Sequence, residues 1–257
     1  MTTSLETLRG YHLKATDGVF GRIRDILFEE GPWTGRWIVA DTGDWLFGRK
    51  VLLSPVSFFT PVEDEKTVPL RLSRKEIEAA PSLDEDAPIS RTYEKTFYDH
   101  YMWPYYWMGE GMWGNVTHPA YLFPTKNQVS EKLDTRTPEE KQDPPLRSGH
   151  ELTKYRLMSG EDVLGYVEDV LLDPETWEVK YFQCDTRKWF HGKTLHVSPE
   201  KVTDVDWHHH RLSVDFTQEE LLKASENEDK ADEESTFKEM DIHVRSLSGI
   251  IISGSTK

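Results

Sequence analysis

Four sets of residues in this 257-residue chain have side chains that could do chemistry. The first is a pair of carboxylates. Asp41-Thr42-Gly43 follows the apolar run Ile38-Val39-Ala40, and Asp185-Thr186 stands 144 positions later. Two carboxylates sharing one proton would be hydrolytic machinery. The second site weakens that reading, because Arg187 replaces the turn glycine, and Asp44 and Lys188 follow the two triplets. A plainer account is that each Asp ends a strand and accepts hydrogen bonds from the turn after it. The second set is His208-His209-His210. Adjacent strand residues point to opposite faces, so three consecutive histidines do not converge on a metal. They align with Asp64-Glu65-Lys66 and read as an exposed turn with only adventitious metal affinity. Cys184 is the third, a lone thiol with no basic neighbour in sequence to lower its pKa, and it reads as buried. The fourth lies in residues 98–113, which hold Tyr98, Tyr101, Trp103, Tyr105, Tyr106, Trp107 and Trp113. Each large ring needs ~150–250 Å² of cover. These seven are the candidate protein-binding residues. The competing reading packs the segment as an arm across one or both flanking domains. No phosphate-loop, dinucleotide, zinc-protease or nucleophile-elbow motif is present, so no catalytic residue, cofactor or metal is expected.

Charge narrows the partner. The chain has 46 acidic and 31 basic residues, a net −15 at neutral pH. Such a field opposes direct nucleic-acid binding and anionic lipid, and suits a basic protein. A single cysteine excludes an intrachain disulfide and a CxxC metal site. No apolar run approaches 18 residues, and MTTSLETLRG lacks the apolar stretch of a signal peptide. No membrane insertion and a cytoplasmic location are the expectation. A second copy of the chain is one candidate partner.

The elements that would position these residues come twice. Sliding the chain by 144 matches 8–79 to 152–223 without a gap. Identities fall at Leu8, Tyr11, Leu13, Val19, Gly21, Asp25, Leu27, Trp33, Asp41, Thr42, Trp45, Gly48, Ser54, Pro55 and Glu76 and their counterparts. Those counterparts include Gly165, Asp169, Asp185, Thr186, Trp189 and Gly192. In each copy short β-prone runs alternate with turn signals. In the first they cover 11–15, 19–28, 37–41, 51–53, 58–62 and 68–72, with Asp17-Gly18 as a hairpin turn. Gly21 marks a bulge or a close backbone approach. Mid-strand Asp25 and Asp169 fit a role in satisfying backbone donors at a bulge. Trp45 and Trp189 fit caps over the end of each domain. Ser73-x-x-Glu76 and Thr217-x-x-Glu220 are capping boxes that start short helices at 74–79 and 218–224. The expected fold is all-β: two tandem small antiparallel β-barrels, each followed by one short helix and joined by an aromatic-rich linker.

The expected boundaries are 1–80 for the first domain and 81–147 for the linker with its arm at 98–113. The second domain takes 148–225, and an acidic tail takes 226–257. Residues 81–92 and 125–149 read as exposed connections, and 225–239 as disordered. Ile242, Val244 and then Ile250-Ile251-Ile252 are a candidate strand that would add to a domain edge in the same chain or in a second one, the alternative being a frayed terminus.

The pattern Gly21-x-x-x-Asp25, Trp37-x-x-x-Asp41-Thr42, Gly48-x-x-Val51 and Ser54-Pro55 resembles the PRC-barrel family. Gly165, Asp169, Tyr181, Asp185-Thr186, Gly192 and Ser198-Pro199 repeat it. The family includes the photosynthetic reaction centre H subunit and the C-terminal domain of a 30S ribosome maturation factor. The whole chain looks like its bacterial tandem form. The resemblance implies a noncatalytic interaction or scaffolding module assisting a larger complex, reaction-centre-like or ribosome-associated. It gives Gly21, Asp25, Asp41, Thr42, Gly48, Gly165, Asp169, Asp185, Thr186 and Gly192 structural roles. Two alternatives stand beside it. One is a hydrolase using Asp41 and Asp185, whose turn resembles that of aspartic proteases. The other is a small-molecule sensor with a pocket beside Tyr105, Tyr106 and Trp107.

Overall fold

The computed structural model describes residues 2–46, 51–82, 89–124, 146–186, 193–221 and 250–254. They form two compact units. The first takes Met1–Gly149 together with Leu172–Glu178, and the second takes His150–Leu171 and Val179–Lys257. Strands dominate both, as the sequence pattern requires. Gly48, Trp189, Gly192, the 84–86 acidic run, 125–145 and 222–249 lie outside the described residues.

The first unit contains β1 (Thr3–Ser4), α1 (Leu5–Arg9), β2 (His12–Ala15), β3 (Gly18–Glu29), β4 (Thr34–Asp41), β5 (Val51–Leu53) and β6 (Thr67–Pro69). After these come α2 (Arg74–Ala79), α3 (Arg91–His100) and β7 (Leu146–Ser148). Its sheet runs β5-β4-β3-β2-β6, and β7 also pairs with β3. At 12 residues, β3 serves β2 with its first half and β4 with its second. It turns between them through register shifts opposite Leu13/Lys14 and at Ile23/Asp25 and Leu27/Phe28. Bulges of this kind bend a strand and raise its twist. Gly21 occurs where the strand bends, because a Cβ there would collide with the Asp41 carbonyl oxygen. Asp25 Oδ1 accepts from the Ile26 N–H at 2.8 Å, and Ser148 Oγ donates to Asp25 Oδ2 at 2.6 Å.

One directional expectation needs correction. The β2–β3 and β3–β4 pairs are antiparallel, but β6 runs parallel to β2. Residues 58–62 and 67–70 make the local hairpin that alternation predicts, bridged at Phe58/Leu70 and Val62/Thr67. Its second arm then meets β2 in the same direction. Periodicity records which face a residue occupies and carries no information on strand direction. Ser54-Pro55 starts this crossing. The Ser54 side chain caps the 3₁₀ turn Pro55–Ser57, and Pro55 lacks the N–H needed to continue β5. The capping box at α2 is present in full, with Ser73 and Glu76 bonding reciprocally.

The second unit holds most of α4 (Gly149–Leu152), β8 (Arg156–Ser159), most of β9 (Asp162–Leu172), β10 (Val179–Asp185) and β11 (Lys193–Val197). It also has β12 (Val202–Asp206), β13 (Arg211–Val214) and β14 (Ile250–Gly254). The order is β12-β13-β8-β9-β10-β11-β14, and the β13–β8 pair is again parallel. Geometry recurs at the 144-residue spacing. A Cβ on Gly165 would strike the Asp185 carbonyl oxygen, Asp169 Oδ1 accepts from the Val170 N–H, and the bulge recurs at Leu157/Met158. Trp33 and Trp177 both adopt positive φ, as do Lys66 and His210. β14 pairs antiparallel with β11 in the same chain. Among the described residues no helix is long and apolar enough to cross a membrane.

Candidate functional site

The aromatic segment is built on α3. Ser90 caps this helix by accepting from the Tyr93 N–H, and Tyr93, Phe97 and Tyr101 then recur every fourth position. This stripe meets β4, whose residues Thr34–Ala40 are all buried. A strand covered on both faces has no polar alternation, which is why Trp37-Ile38-Val39-Ala40 is continuously apolar. Trp37 lies at the junction, edge-on to Phe97 with ring centres 4.7 Å apart and edge-on to Tyr98 at 6.1 Å. Beyond the helix, Tyr101 stacks on Trp103 at 4.6 Å and Tyr105 on Trp107 at 4.7 Å.

Five of the seven candidate rings, Tyr98, Trp103, Tyr105, Tyr106 and Trp113, are buried, and Tyr101 and Trp107 are half-buried. A charge cluster that sequence reading missed holds them there. Arg36 Nε donates to Glu29 Oε2 at 2.6 Å, and Arg36 also donates to the Met112 carbonyl at 2.6 Å. Its guanidinium lies over the Tyr106 ring at 4.1 Å and over Trp113 at 4.6 Å. Arg91 reaches Glu94 at 2.7 Å, the Tyr106 hydroxyl at 2.8 Å and Glu29 at 3.5 Å. Glu94 Oε1 accepts from Trp37 Nε1 at 2.7 Å and from the Tyr106 hydroxyl at 2.8 Å. The Tyr98 and Ser54 hydroxyls bond each other at 3.0 Å. Two guanidinium groups and two carboxylates leave no net charge, the condition under which buried ions persist.

This cluster is a clamp. Burial holds the Glu94 carboxyl above the usual range and pushes the Tyr98 and Tyr106 hydroxyls up. The Glu94 oxygens are occupied by Trp37, Tyr106 and Arg91, and the residue is sealed from solvent. A catalytic acid must reach its substrate. The cluster's sequence signals were Glu29 and Arg36 at the ends of apolar strands and the four-residue aromatic period after Ser90.

The remaining singled-out residues occupy ordinary structural settings. Exposed Asp41 accepts from the Gly43 N–H at 3.1 Å in a turn, and Thr42 is half-buried beside it. Asp185 and buried Thr186 belong to the second unit. Trp45 meets Phe20 edge-on at 5.5 Å, with Arg74 over its face at 4.6 Å. The histidine triplet lies in an exposed turn, where His209 Nδ1 is 2.6 Å from Asp206 and His210 stacks on Tyr155. Cys184 is buried, and desolvation pushes its thiol up.

A different part of the first unit faces solvent. Phe59 is 50% and Tyr121 72% exposed. Arg71 links them. Its guanidinium lies 4.7 Å from the Phe59 ring and 5.2 Å from the Phe123 ring, and it donates to the Ala120 carbonyl at 3.4 Å, next to Tyr121. Among the described residues Arg71 has no carboxylate partner, and its Nε makes no hydrogen bond.

Residues 146–221 match the PRC-barrel domain family, so the chain carries a PRC-barrel domain over that span. No curated protein sequence matches closely enough to count as a relative.

Proposed function

We propose that this chain is a noncatalytic protein-interaction module whose two repeats are both PRC barrels. A PRC-barrel domain supports an interaction or scaffolding role in general terms. The observation that carries the finer reading is the Phe59–Arg71–Tyr121 surface. Exposed rings around an arginine with no carboxylate partner among the described residues have the composition of interface hot spots. The seven candidate rings of 98–113 contribute indirectly. Clamped by Arg36, Glu29, Arg91 and Glu94, the arm backs Phe123, whose ring meets Trp103 at 5.9 Å. Arg71 would donate to main-chain carbonyls of the partner, and Phe59 and Tyr121 would contact its apolar side chains. The occupant is a basic protein, steered by the net −15 of the chain. Assistance to a larger assembly, in the manner of the family members resembled, is the setting this reading favours. A hydrolytic reading has less support, since Asp41 is engaged in its own turn and Arg187 stands where the second turn would need glycine.

The test is affinity capture with the full chain and with a bait carrying Phe59→Ser, Arg71→Ser and Tyr121→Ser, at low and moderate salt. A basic protein retained near stoichiometrically by the first bait and lost from the second supports the proposal. Equal recovery by both baits, or recovery of the chain alone, overturns it.

A further inference from the structure

The C-terminal strand β14 lies outside the repeat, which ends at residue 223 in the second copy. β5 and β11 are the same strand of that repeat. Ile38 pairs with Leu53 and Val39 with Leu52 in the first unit. Phe182 pairs with Val197 and Gln183 with His196 in the second, the same register 144 positions on. β5 ends its sheet, whereas β11 carries β14 on its outer side. β14 is therefore an addition to a sheet that the first unit completes without it. The added pairing is antiparallel and runs from Lys193 opposite Gly254 to Val197 opposite Ile250. Among the described residues β14 pairs with no other strand. An edge strand presents a row of main-chain donors and acceptors, and a β-branched segment such as Ile250-Ile251-Ile252 is suited to take them.

Ladder bonds join backbone to backbone, so β14 of any copy of the chain can make them. Residues 222–249 connect β14 to Leu221. A chain of that length reaches at most ~90 Å, several times the ~30 Å diameter of a small domain. That length lets β14 reach the β11 edge of its own unit or that of a neighbouring copy. We infer that β14 is an exchangeable strand, and that the β11 edge of one copy takes β14 of a second in a reciprocal dimer. Exchange keeps every ladder bond, since each copy gives one strand and receives one, which makes it a low-cost route to a dimer. Concentration sets the balance. A tethered strand competes for its own edge at an effective concentration on the order of 1 mM, so the dimer gains as the chain nears that concentration. Two copies at net −15 repel each other, so added salt favours the dimer. The β11 edge belongs to the second unit and the Phe59–Arg71–Tyr121 surface to the first, and neither depends on the other.

Light scattering on the full chain tests the exchange, with Ile251→Pro as the variant that removes a ladder donor from β14 without shortening the chain. The full chain should be monomeric at ~10 µM and largely dimeric near ~1 mM, and Ile251→Pro should stay monomeric at both. Cross-linking then identifies the strands that join. His196 and Ile251 face each other in the ladder, with Cβ atoms about 4.5–5.5 Å apart in such a pair. A His196→Cys chain and an Ile251→Cys chain, both also carrying Cys184→Ser, are mixed near ~1 mM and treated with dibromobimane. A covalent product of one chain of each kind is expected, in higher yield as salt is raised. A monomer at every concentration, an equal dimer from Ile251→Pro, or no cross-chain product overturns the inference.

Discussion

Replacing Arg36 by Met is the sharpest perturbation of the clamp. Met retains much of the apolar stem but takes away both charged hydrogen bonds. Among the described residues Glu29 then keeps only Arg91 as an ion-pair partner, at 3.5 Å, and the Met112 carbonyl loses its 2.6 Å donor. Breaking one side of a buried ion pair costs ~3–5 kcal/mol, because the other charge stays buried. An orphaned buried acceptor costs ~1–3 kcal/mol. The cation–π contacts with Tyr106 and Trp113 add about 0.5–2 kcal/mol. These losses overlap, and Arg91 shifting toward Glu29 recovers part of them. The expected net cost is therefore about 3–4 kcal/mol. For a unit of this size that lowers Tm by roughly 6–15 °C. Tryptophan fluorescence reports it directly, since Trp37, Trp103, Trp107 and Trp113 all belong to the first unit. Adding Glu29→Gln to Arg36→Met should restore at least ~1 kcal/mol, since the uncompensated charge is gone. A single variant within ~0.5 kcal/mol of the parent, or a double variant worse than the sum of both singles, would refute the clamp.

Gly21→Ala and Gly165→Ala should each destabilise their own unit by about 1–3 kcal/mol in urea unfolding, because the new methyl meets a carbonyl oxygen. Tyr98→Phe removes the buried bond between the Tyr98 and Ser54 hydroxyls, leaving Ser54 Oγ with the Val56 N–H, and should cost ~1 kcal/mol in the same assay. Ser73→Ala dissolves the α2 capping box at a cost of ~1 kcal/mol. His196 gives a pH dependence. Desolvation lowers its pKa below the ordinary 6.5, so the unfolded chain binds the proton more tightly than the fold does. Stability should therefore fall as pH drops through 6.5 and level off above it, and His196→Gln should lose that slope.

The repeat was the most legible feature of the sequence, because its residues are set by backbone geometry. Gly21 and Gly165 are required by a carbonyl oxygen from the neighbouring strand, and such steric demands survive as identities. The run at 37–41 was legible as a strand, and its burial on both faces emerged only in the fold. Strand direction was not legible, since β2–β6 and β8–β13 have the same face alternation whether parallel or antiparallel. The clamp was hidden for a different reason. Glu29 and Arg36 are seven positions apart and Arg91 and Glu94 lie nearly 60 further on, so only the folded chain joins them. The Phe59–Arg71–Tyr121 surface was missed because aromatic density drew attention to 98–113. Density marks rings that need cover, and the sparse rings outside it remained exposed.

The most direct test of the interaction surface is site-specific photo-crosslinking in cells. A benzophenone side chain would be placed in turn at Tyr121, at Phe59 and, as a control, at exposed Tyr166 of the second unit. The account predicts that one basic protein is joined at 121 and 59, is not joined at 166, and is lost when Arg71→Ala is added. The same adducts from all three positions, or adducts at 121 and 59 that persist with Arg71→Ala, would contradict it.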